Sequence, residues 1–410
     1  MTSTLQQLIT ERIQREGPIP FADYMRMALY EPGHGYYVTA SARVGWEGDF
    51  YTSTDVSNLF AHCMSRQLVQ IWEQLERPTP FIVLEQGAGR RHLAQQITAW
   101  AAQEQLDFHT ALEYDTEDIS SGQDAILSNI SRATNNRAIH DSDPSAPQYS
   151  RGDPCGRPAV GHPAVARPAP VSAFPHVVLS NELVDAFPVH IIEKRDERLY
   201  EVFVDIHHGR MHEVLSEPSR AEVATYLDRY KIPWQTFENG WRAEINLDAL
   251  RWMQRTAQLL RGSPSSTQRK RRGFLLTIDY GDKARALYTK NRPYGTLTCY
   301  YQHQLTERPL VRPGAQDITA HVNFSALIDE GRQQGLHLHT FTTQKAWLEG
   351  LGIHEELERI RTRDFAIIDK ERATDKGQVA LFQWYNLRQG VSALTDPMGM
   401  GNFKVLIMKR

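Results

Sequence analysis

Phe81-Ile82-Val83-Leu84-Glu85-Gln86-Gly87-Ala88-Gly89-Arg90-Arg91-His92-Leu93 is the stretch on which the fold is decided. Four apolar residues lead into Glu85, a Gly-x-Gly turn follows, and Leu93, Ile97 and Trp100 then recur at helical spacing. The order predicts a strand, a tight turn and a helix, the opening unit of a doubly wound sheet. Gly87 and Gly89 suit a turn that needs unusual dihedrals and a backbone that a ligand can approach without a Cβ in the way. Where a third glycine would complete a dinucleotide fingerprint the chain carries Arg91, preceded by Arg90. Taken alone, the stretch fits either a nucleotide-type ligand or a plain strand–helix turn.

The chain around it has 410 residues, enough for one large domain with insertions or for two. With 41% hydrophobic and 23% charged residues, a sizeable soluble core can form. A formal charge of -3 argues against a general nucleic-acid binder, which would carry a broad basic face. Cys63, Cys155 and Cys299 are far apart and form no Cys-x-x-Cys pair, so neither a disulfide framework nor a thiolate zinc site is expected. His337 and His339 share one face of a strand without a third ligand, and no metal site is expected there either. The stretch Met1 to Ile9 lacks the basic flank and long apolar run of a secretory signal. No window approaches the ~20 apolar residues that span a bilayer. A cytoplasmic protein with no membrane contact is therefore expected.

Upstream of the glycine turn, Gly48-Asp49-Phe50-Tyr51-Thr52-Ser53-Thr54-Asp55 is dense in small hydroxyls and acids. Asp55 or Ser53 is a candidate cap for a helix from Leu59 to Leu75, and the loop faces a ligand only if it folds over Gly87–Gly89. Downstream, Phe108 to Leu112 reads as a second strand ending in Glu113. Doubly wound folds place there the acid that accepts hydrogen bonds from ribose hydroxyls. From about Asn135 to Pro170 prolines interrupt every helix and strand, and a disordered surface insertion over 135–172 is expected.

His176 to Ser180 reads as a buried strand, with Asn181, Glu182 and Asp185 just past its carboxyl end. Open α/β sheets bind ligands at that edge. Three polar groups there are hard to explain as core, and a helix cap would use only one. Residues 190–215 alternate like a hairpin, and 217–241 complete a small lid. Leu247 to Leu260 reads as a helix, Phe274 to Asp279 as another buried strand, and a helix starts near Phe324. Strands at 336–341 and Phe403 to Met408 close the chain. No Gly-x-Ser-x-Gly elbow and no Walker loop occurs, which leaves hydrolase and NTPase readings without support.

Several of these segments, taken in order, resemble the MidA-type family of S-adenosylmethionine-dependent methyltransferases. They are Gly17-Pro18-Ile19, Tyr24-Met25, Gly35-Tyr36-Tyr37, Gly48-Asp49-Phe50 with Thr52-Ser53, and Glu85 with Gly87-Ala88-Gly89. Further on come Asn181-Glu182 with Asp185-Ala186, Asp279-Tyr280-Gly281, Gly295-Thr296-Leu297 and Asp317-Ile318-Thr319 with His321-Val322. The resemblance implies an α/β fold, a class I methyltransferase Rossmann-like seven-stranded sheet with its last strand antiparallel. It also implies an N-terminal helical extension over 1–75, a first core half over 76–189, an inserted substrate lid after strand four over 190–245, and a second core half over 246–410.

Carried over by position, Glu85, Gly87 and Gly89 would hold the methionine side of S-adenosylmethionine and Glu113 its ribose. Gly48, Asp49, Thr52 and Ser53 would close over the site, and Asn181, Glu182 and Asp185 would line the side where the methyl leaves sulfur. Mitochondrial members are complex I assembly factors that methylate a protein arginine, so the implied partner is a protein substrate offering an arginine side chain. A guanidinium arrives charged because its pKa lies above ~12. Paired carboxylates can hold it bidentately, which suits Glu182 and Asp185 with Asn181 as an orienting amide. His321 is a candidate late proton acceptor. Arg91 at the third glycine position either pairs with the cofactor carboxylate or obstructs it. The alternatives are a methyltransferase acting on another nitrogen or a small molecule, and a methyltransferase-fold assembly protein with weak or no catalysis. Oligomeric state is not legible.

Overall fold

The computed structural model describes residues 4–39, 52–118, 174–261, 272–302 and 304–410. Gly48, Asp49 and the proline-rich stretch expected to be disordered lie outside the described residues. Six strands make the principal sheet: β1 (Phe81–Gln86), β2 (Leu112–Glu117), β3 (Val177–Asn181), β4 (Phe274–Asp279), β5 (His337–Thr343) and β6 (Lys404–Lys409). Their order is β5-β6-β4-β3-β1-β2. β1 pairs parallel with β2 and β3, and β3 with β4, while β6 runs antiparallel to both β4 and β5. The expected seven-stranded sheet is thus represented by six strands among the described residues, and the expected antiparallel last strand is β6.

The apolar runs become strands because they are buried on both faces. Val177 and Leu179 join one hydrophobic cluster with Val83 and Leu276, whereas Val178 and Leu275 join another on the opposite face. Helices Asn58–Gln74 and His92–Glu104 cover the first face, and helices Leu247–Arg261 and Phe324–Gln333 cover the second. This is the doubly wound arrangement that the opening stretch predicts.

One predicted strand is displaced. Phe108 is buried between Trp72 and Phe81, with ring centroids 5.6 and 5.7 Å away, inside a helix that runs Leu106–Ala111. β2 begins only at Leu112. Glu113 therefore stands near the amino end of the strand, opposite Ile82, and Glu117 is the acid at the carboxyl end, opposite Gln86.

The chain between β3 and β4 supplies four strands of a second, antiparallel sheet, His190–Arg195, Arg198–His207, Arg210–Ser216 and Arg242–Ile245, and Ile19–Pro20 from before β1 adds the fifth. The N-terminal helices Thr4–Glu16 and Phe21–Tyr30 pack on it, so that Ile9, Met25 and Leu29 share one core with Ile191, Val202 and Val204. Between β5 and β6 a helical insertion runs through Gln344–Gly350, Ile353–Asp364, Ile367–Glu371 and Asp375–Thr395.

Past β4 the chain turns at Gly281, whose φ is +153°. A Cβ there would lie 2.1 Å from the carbonyl oxygen of Val322, because Gly281–Asp282 pairs with Val322–Asn323. Gly281→Ala is therefore expected to destabilise the protein by about 3 kcal/mol or more. Urea denaturation monitored by far-UV circular dichroism measures this, and an unchanged midpoint would contradict the close approach.

Candidate functional site

The site is organised by a buried carboxylate at the carboxyl end of β4. One oxygen of Asp279 accepts hydrogen bonds from the backbone N–H groups of Leu183, Val184 and Asp185 at 3.3, 2.9 and 3.3 Å. The other accepts from the Tyr280 N–H at 2.9 Å. The chain leaving β3 is thereby bent at once, with Glu182 in the left-handed region at φ +50° and its N–H donating to the Ile278 carbonyl at 2.9 Å. Burial, and then the neighbouring Asp185 and Glu182 charges, hold the Asp279 carboxyl well above the usual range.

This bend gathers Asn181, Glu182 and Asp185. The Asn181 Nδ2 donates to Glu182 Oε1 at 3.1 Å, which fixes the amide orientation, since only the NH2 end can face a carboxylate. Asp185 Oδ2 accepts a short hydrogen bond from the Tyr280 hydroxyl. Burial pushes Glu182 up to about 7 and Asp185 up to about 6. Two acceptors, Asn181 Oδ1 and Asp185 Oδ1, are buried with no donor among the described residues. Such orphans are rare because each costs ~1–3 kcal/mol of desolvation.

At the end of β1, Gly87 has φ +75° and Gly89 φ +48°. A Cβ at position 87 would come 2.8 Å from Leu183 Cδ1, which ties the glycine turn to the Asn181–Asp185 bend, whereas a Cβ at 89 would project into open space. Arg91 stands in the left-handed conformation at φ +60°, doing what the absent third glycine would do, and both Arg90 and Arg91 are exposed rather than packed into the turn. Glu85 lies two residues before Gly87 on β1. Its buried carboxylate accepts from the Tyr114 hydroxyl at 3.1 Å, and burial pushes it up to about 7. Gln86 instead reaches the edge, donating to Glu117 Oε2 at 3.0 Å and accepting from Trp252 Nε1 at 2.9 Å.

The described end of the loop before the long helix packs beside the helix that follows the glycine turn. Thr52 and Asp55 form a capping box for the short helix Ser53–Val56, and Asp55 Oδ1 lies 3.4 Å from Nδ1 of His92, the first residue of the helix after the turn. The long helix is capped by Ser57, whose hydroxyl accepts from the Leu59 N–H at 3.3 Å, and not by Asp55 or Ser53. The Ser53 N–H donates to Glu182 Oε1 at 2.8 Å. Its hydroxyl donates to Gln344 Oε1 at 3.3 Å, and the Gln344 amide donates in turn to the Leu394 carbonyl at 3.1 Å. From the N-terminal side, the Tyr30 hydroxyl donates to the Ala186 carbonyl at 2.8 Å and the Tyr37 hydroxyl to Asp317 Oδ1 at 2.8 Å, their rings stacked 5.6 Å apart. His321 lies edge-on to Tyr280 at 5.5 Å, and burial lowers it to about 4, which makes it a weak proton acceptor.

The structure thus brings Asn181, Glu182, Asp185 and Ser53 together, with Gly87 and Gly89 alongside and Thr52 serving the cap. It does not bring Glu113, which sits at the amino end of β2; the acid at the carboxyl end of β2 is Glu117. Sequence reasoning also missed Tyr280 and Gln344. Tyr280 follows a legible strand end, whereas nothing local marks Gln344. Among the described residues no group of three histidines, cysteines or acids could hold a metal ion.

A mixed sheet of this order, with a Gly-x-Gly turn at the carboxyl end of the interior strand β1, defines an α/β methyltransferase fold. A solved structure from Burkholderia thailandensis with bound S-adenosyl-homocysteine is similar over 99% of this chain and 92% of that one, at 27% identity and a TM-score of 0.72. A second from the same organism, without that ligand in its description, gives 26% identity and a TM-score of 0.70 over 99% and 91% of the two chains. Residues 63–342 match the family described as S-adenosyl-L-methionine-dependent methyltransferase, and the chain belongs to that family.

Curated relatives include the Drosophila melanogaster mitochondrial protein named protein arginine methyltransferase NDUFAF7 homolog, 27% identical over 99% of this chain and 84% of its own length. The human mitochondrial protein arginine methyltransferase NDUFAF7 is 26% identical over 97% and 81%. These relatives are mitochondrial, which overturns the cytoplasmic expectation: the lack of a secretory pattern near Met1 excluded one route only.

S-adenosylmethionine is the cofactor, and the described residues fit it. Gly87 and Gly89 offer backbone without Cβ obstruction at the carboxyl edge, and Glu117 places a carboxylate at the end of β2, where a ribose is held in doubly wound folds.

Because Glu85 is raised by burial, the folded state disfavours its charged form. The resulting penalty is absent below the ordinary value of 4.5, grows as pH rises, and saturates above about 7. Glu85→Gln is expected to melt above the parent protein at pH 8 and level with it near pH 4.5. Differential scanning fluorimetry across that range checks this, and a pH-independent difference would remove the burial argument.

Proposed function

We propose that this protein is a protein arginine N-methyltransferase, in which Asn181, Glu182 and Asp185 receive the guanidinium. The observation that carries this reading is the pair of buried acceptors without donors, Asn181 Oδ1 and Asp185 Oδ1, beside a Glu182 whose Oε1 alone is engaged in hydrogen bonds. A guanidinium is donor-only, planar and always charged, and it offers five N–H groups to such a set. The names of the curated relatives support a protein arginine as acceptor. The inserted strands of residues 190–245 act as a lid on the substrate side, and the sheet is the seven-stranded form of its class.

S-adenosylmethionine supplies an electrophilic methyl carbon on sulfonium. The chain's part is positioning, since an in-line displacement depends on the placement of its nucleophile. Glu182 and Asp185, once ionised, grip the two nitrogens that do not attack and draw positive charge toward them, leaving the third richer in electron density. Tyr280 fixes Asp185 through Oδ2, so that Oδ1 remains for substrate. The Ser53 N–H and the Asn181 amide fix Glu182 through Oε1, leaving Oε2. Glu117 holds the ribose, and the Thr52–Ser53 turn closes the cofactor side.

Calorimetric titration with S-adenosylmethionine should show micromolar binding, whereas no heat would favour the non-catalytic assembly reading. Glu182→Gln should retain that binding and lose about 10²-fold or more of radiolabelled methyl transfer to protein in a cell extract. Undiminished transfer would remove Glu182 from the mechanism.

The pH profile follows from the same groups. Both carboxyls must be ionised to accept from the guanidinium, and both are raised, to about 7 and about 6. The specificity constant kcat/KM should therefore rise with pH through an apparent acid limb between about 6 and 7 and level off above it. A limb near 4, the ordinary carboxylate range, would contradict this assignment.

A further inference from the structure

The helical insertion between β5 and β6 carries a second recognition feature, away from the cofactor edge. Helices Ile353–Asp364, Ile367–Glu371 and Asp375–Thr395 enclose a hollow of about 310 Å³. Its walls carry Arg361, Arg372 and Arg388 against a single acid, Asp369, and Trp384 and Tyr385 provide its aromatic side. We propose that this hollow docks a short acidic segment of a partner protein, anchored by one apolar side chain.

The three arginines are not equivalent. Arg361 is committed to the fold: it pairs with Asp369 at 2.6 Å, donates to the Phe365 carbonyl at 2.7 Å, and lies 5.8 Å from the Trp384 ring. It makes a fixed wall. Arg372 and Arg388 have no carboxylate partner among the described residues, and both are exposed. Arg388 lies against the face of Tyr385, 5.9 Å from its centroid, which orients the guanidinium without neutralising it. Two unneutralised forks, that of Arg388 oriented by the ring, suit carboxylates, which they can bind bidentately.

Apolar surface adjoins these forks. Tyr385 is 48% exposed and Phe382, three residues earlier on the same helix, is 66% exposed. Aromatic and arginine side chains in one patch are the composition of interface hot spots. The hollow accommodates one or two side chains, so the occupant is a peptide segment rather than a folded face. Charge selects its sign. The whole chain is at -3, and the hollow sets three arginines against one acid over a short reach, which suits a few carboxylates better than the long charge track of a nucleic acid.

The test uses the full-length protein and three fluorescein-labelled hexapeptides read by fluorescence anisotropy. One is acidic around a Leu-Phe pair, one has its acids replaced by lysine, and one has Leu-Phe replaced by Ala-Ala. The acidic Leu-Phe peptide should bind in the micromolar range, weaken at high salt, and lose affinity about tenfold with Ala-Ala; the lysine peptide should not bind. Arg372→Glu with Arg388→Glu should abolish binding while leaving the melting temperature unchanged, because both side chains are exposed. Phe382→Ala should weaken binding several-fold. Equal affinity for the parent and the double variant would overturn the proposal. So would failure of the acidic peptide to bind at millimolar concentration, or tighter binding of a single-stranded RNA probe that depends on the same two arginines. None of these readouts involves methyl transfer, so they stand or fall separately from the enzymatic reading.

Discussion

Everything at this site depends on one buried carboxylate. Asp279 is fully enclosed at the end of β4 and compensated by four backbone N–H groups, three of them from the segment that leaves β3. Burying an acid is costly unless its oxygens are satisfied, so those N–H groups are held where they are. The left-handed conformation of Glu182 and the turn Val184–Ala186 place them there. The orientation of the three candidate substrate-side groups is therefore a consequence of neighbouring β4, not of their own local sequence. A second consequence is electrostatic. Burial raises the cost of ionising all three acids, and the Asp185 charge adds to that of Glu182 while both add to that of Asp279.

The parts of the chain that meet here are distant in sequence. Ser53 comes from the segment before the sheet, Glu182 from its middle, and Gln344 and Leu394 from the insertion before its last strand. Gly390 belongs to the same contact: a Cβ on it would lie 2.8 Å from the Val56 carbonyl oxygen, so the helix Asp375–Thr395 backs directly onto the Ser53–Val56 turn. The N-terminal helices reach the other side through Tyr30 and Tyr37. The extension, the core and the C-terminal insertion thus each supply one restraint on the same bend.

How much of this a reader of the sequence could see follows from burial. β1, β3 and β4 are apolar because they are covered on both faces, and their ends, with the glycine turn and Asn181–Asp185, were legible for that reason. β2 reads Leu-Glu-Tyr-Asp-Thr-Glu, half-buried and acidic on alternate positions, with no apolar run to announce it. The eye is drawn instead to Phe108, which is apolar because it packs under Trp72 from a helix. That one displacement put Glu113, rather than Glu117, at the expected strand end. Gln344 was illegible for another reason: its partners, Ser53 and Leu394, are 291 and 50 residues away.

The substitution at the third glycine position is less disruptive than its sequence suggests. Left-handed backbone costs a non-glycine residue ~1–2 kcal/mol, and Arg91 bears that cost at φ +60° while its side chain stays exposed. The turn therefore keeps the conformation that the glycine would have given, and the obstruction that an arginine there threatens is not built into the fold. What distinguishes this site lies at its other end. Under the proposed reading, a lysine amine, with three donors on a point charge, would match these acceptors less well than a planar guanidinium offering donors to Asn181 Oδ1, Asp185 Oδ1 and Glu182. On that reading the unpaired acceptors would favour the shape of the cation as well as its charge, beside carboxyls that burial raises to about 7 and about 6.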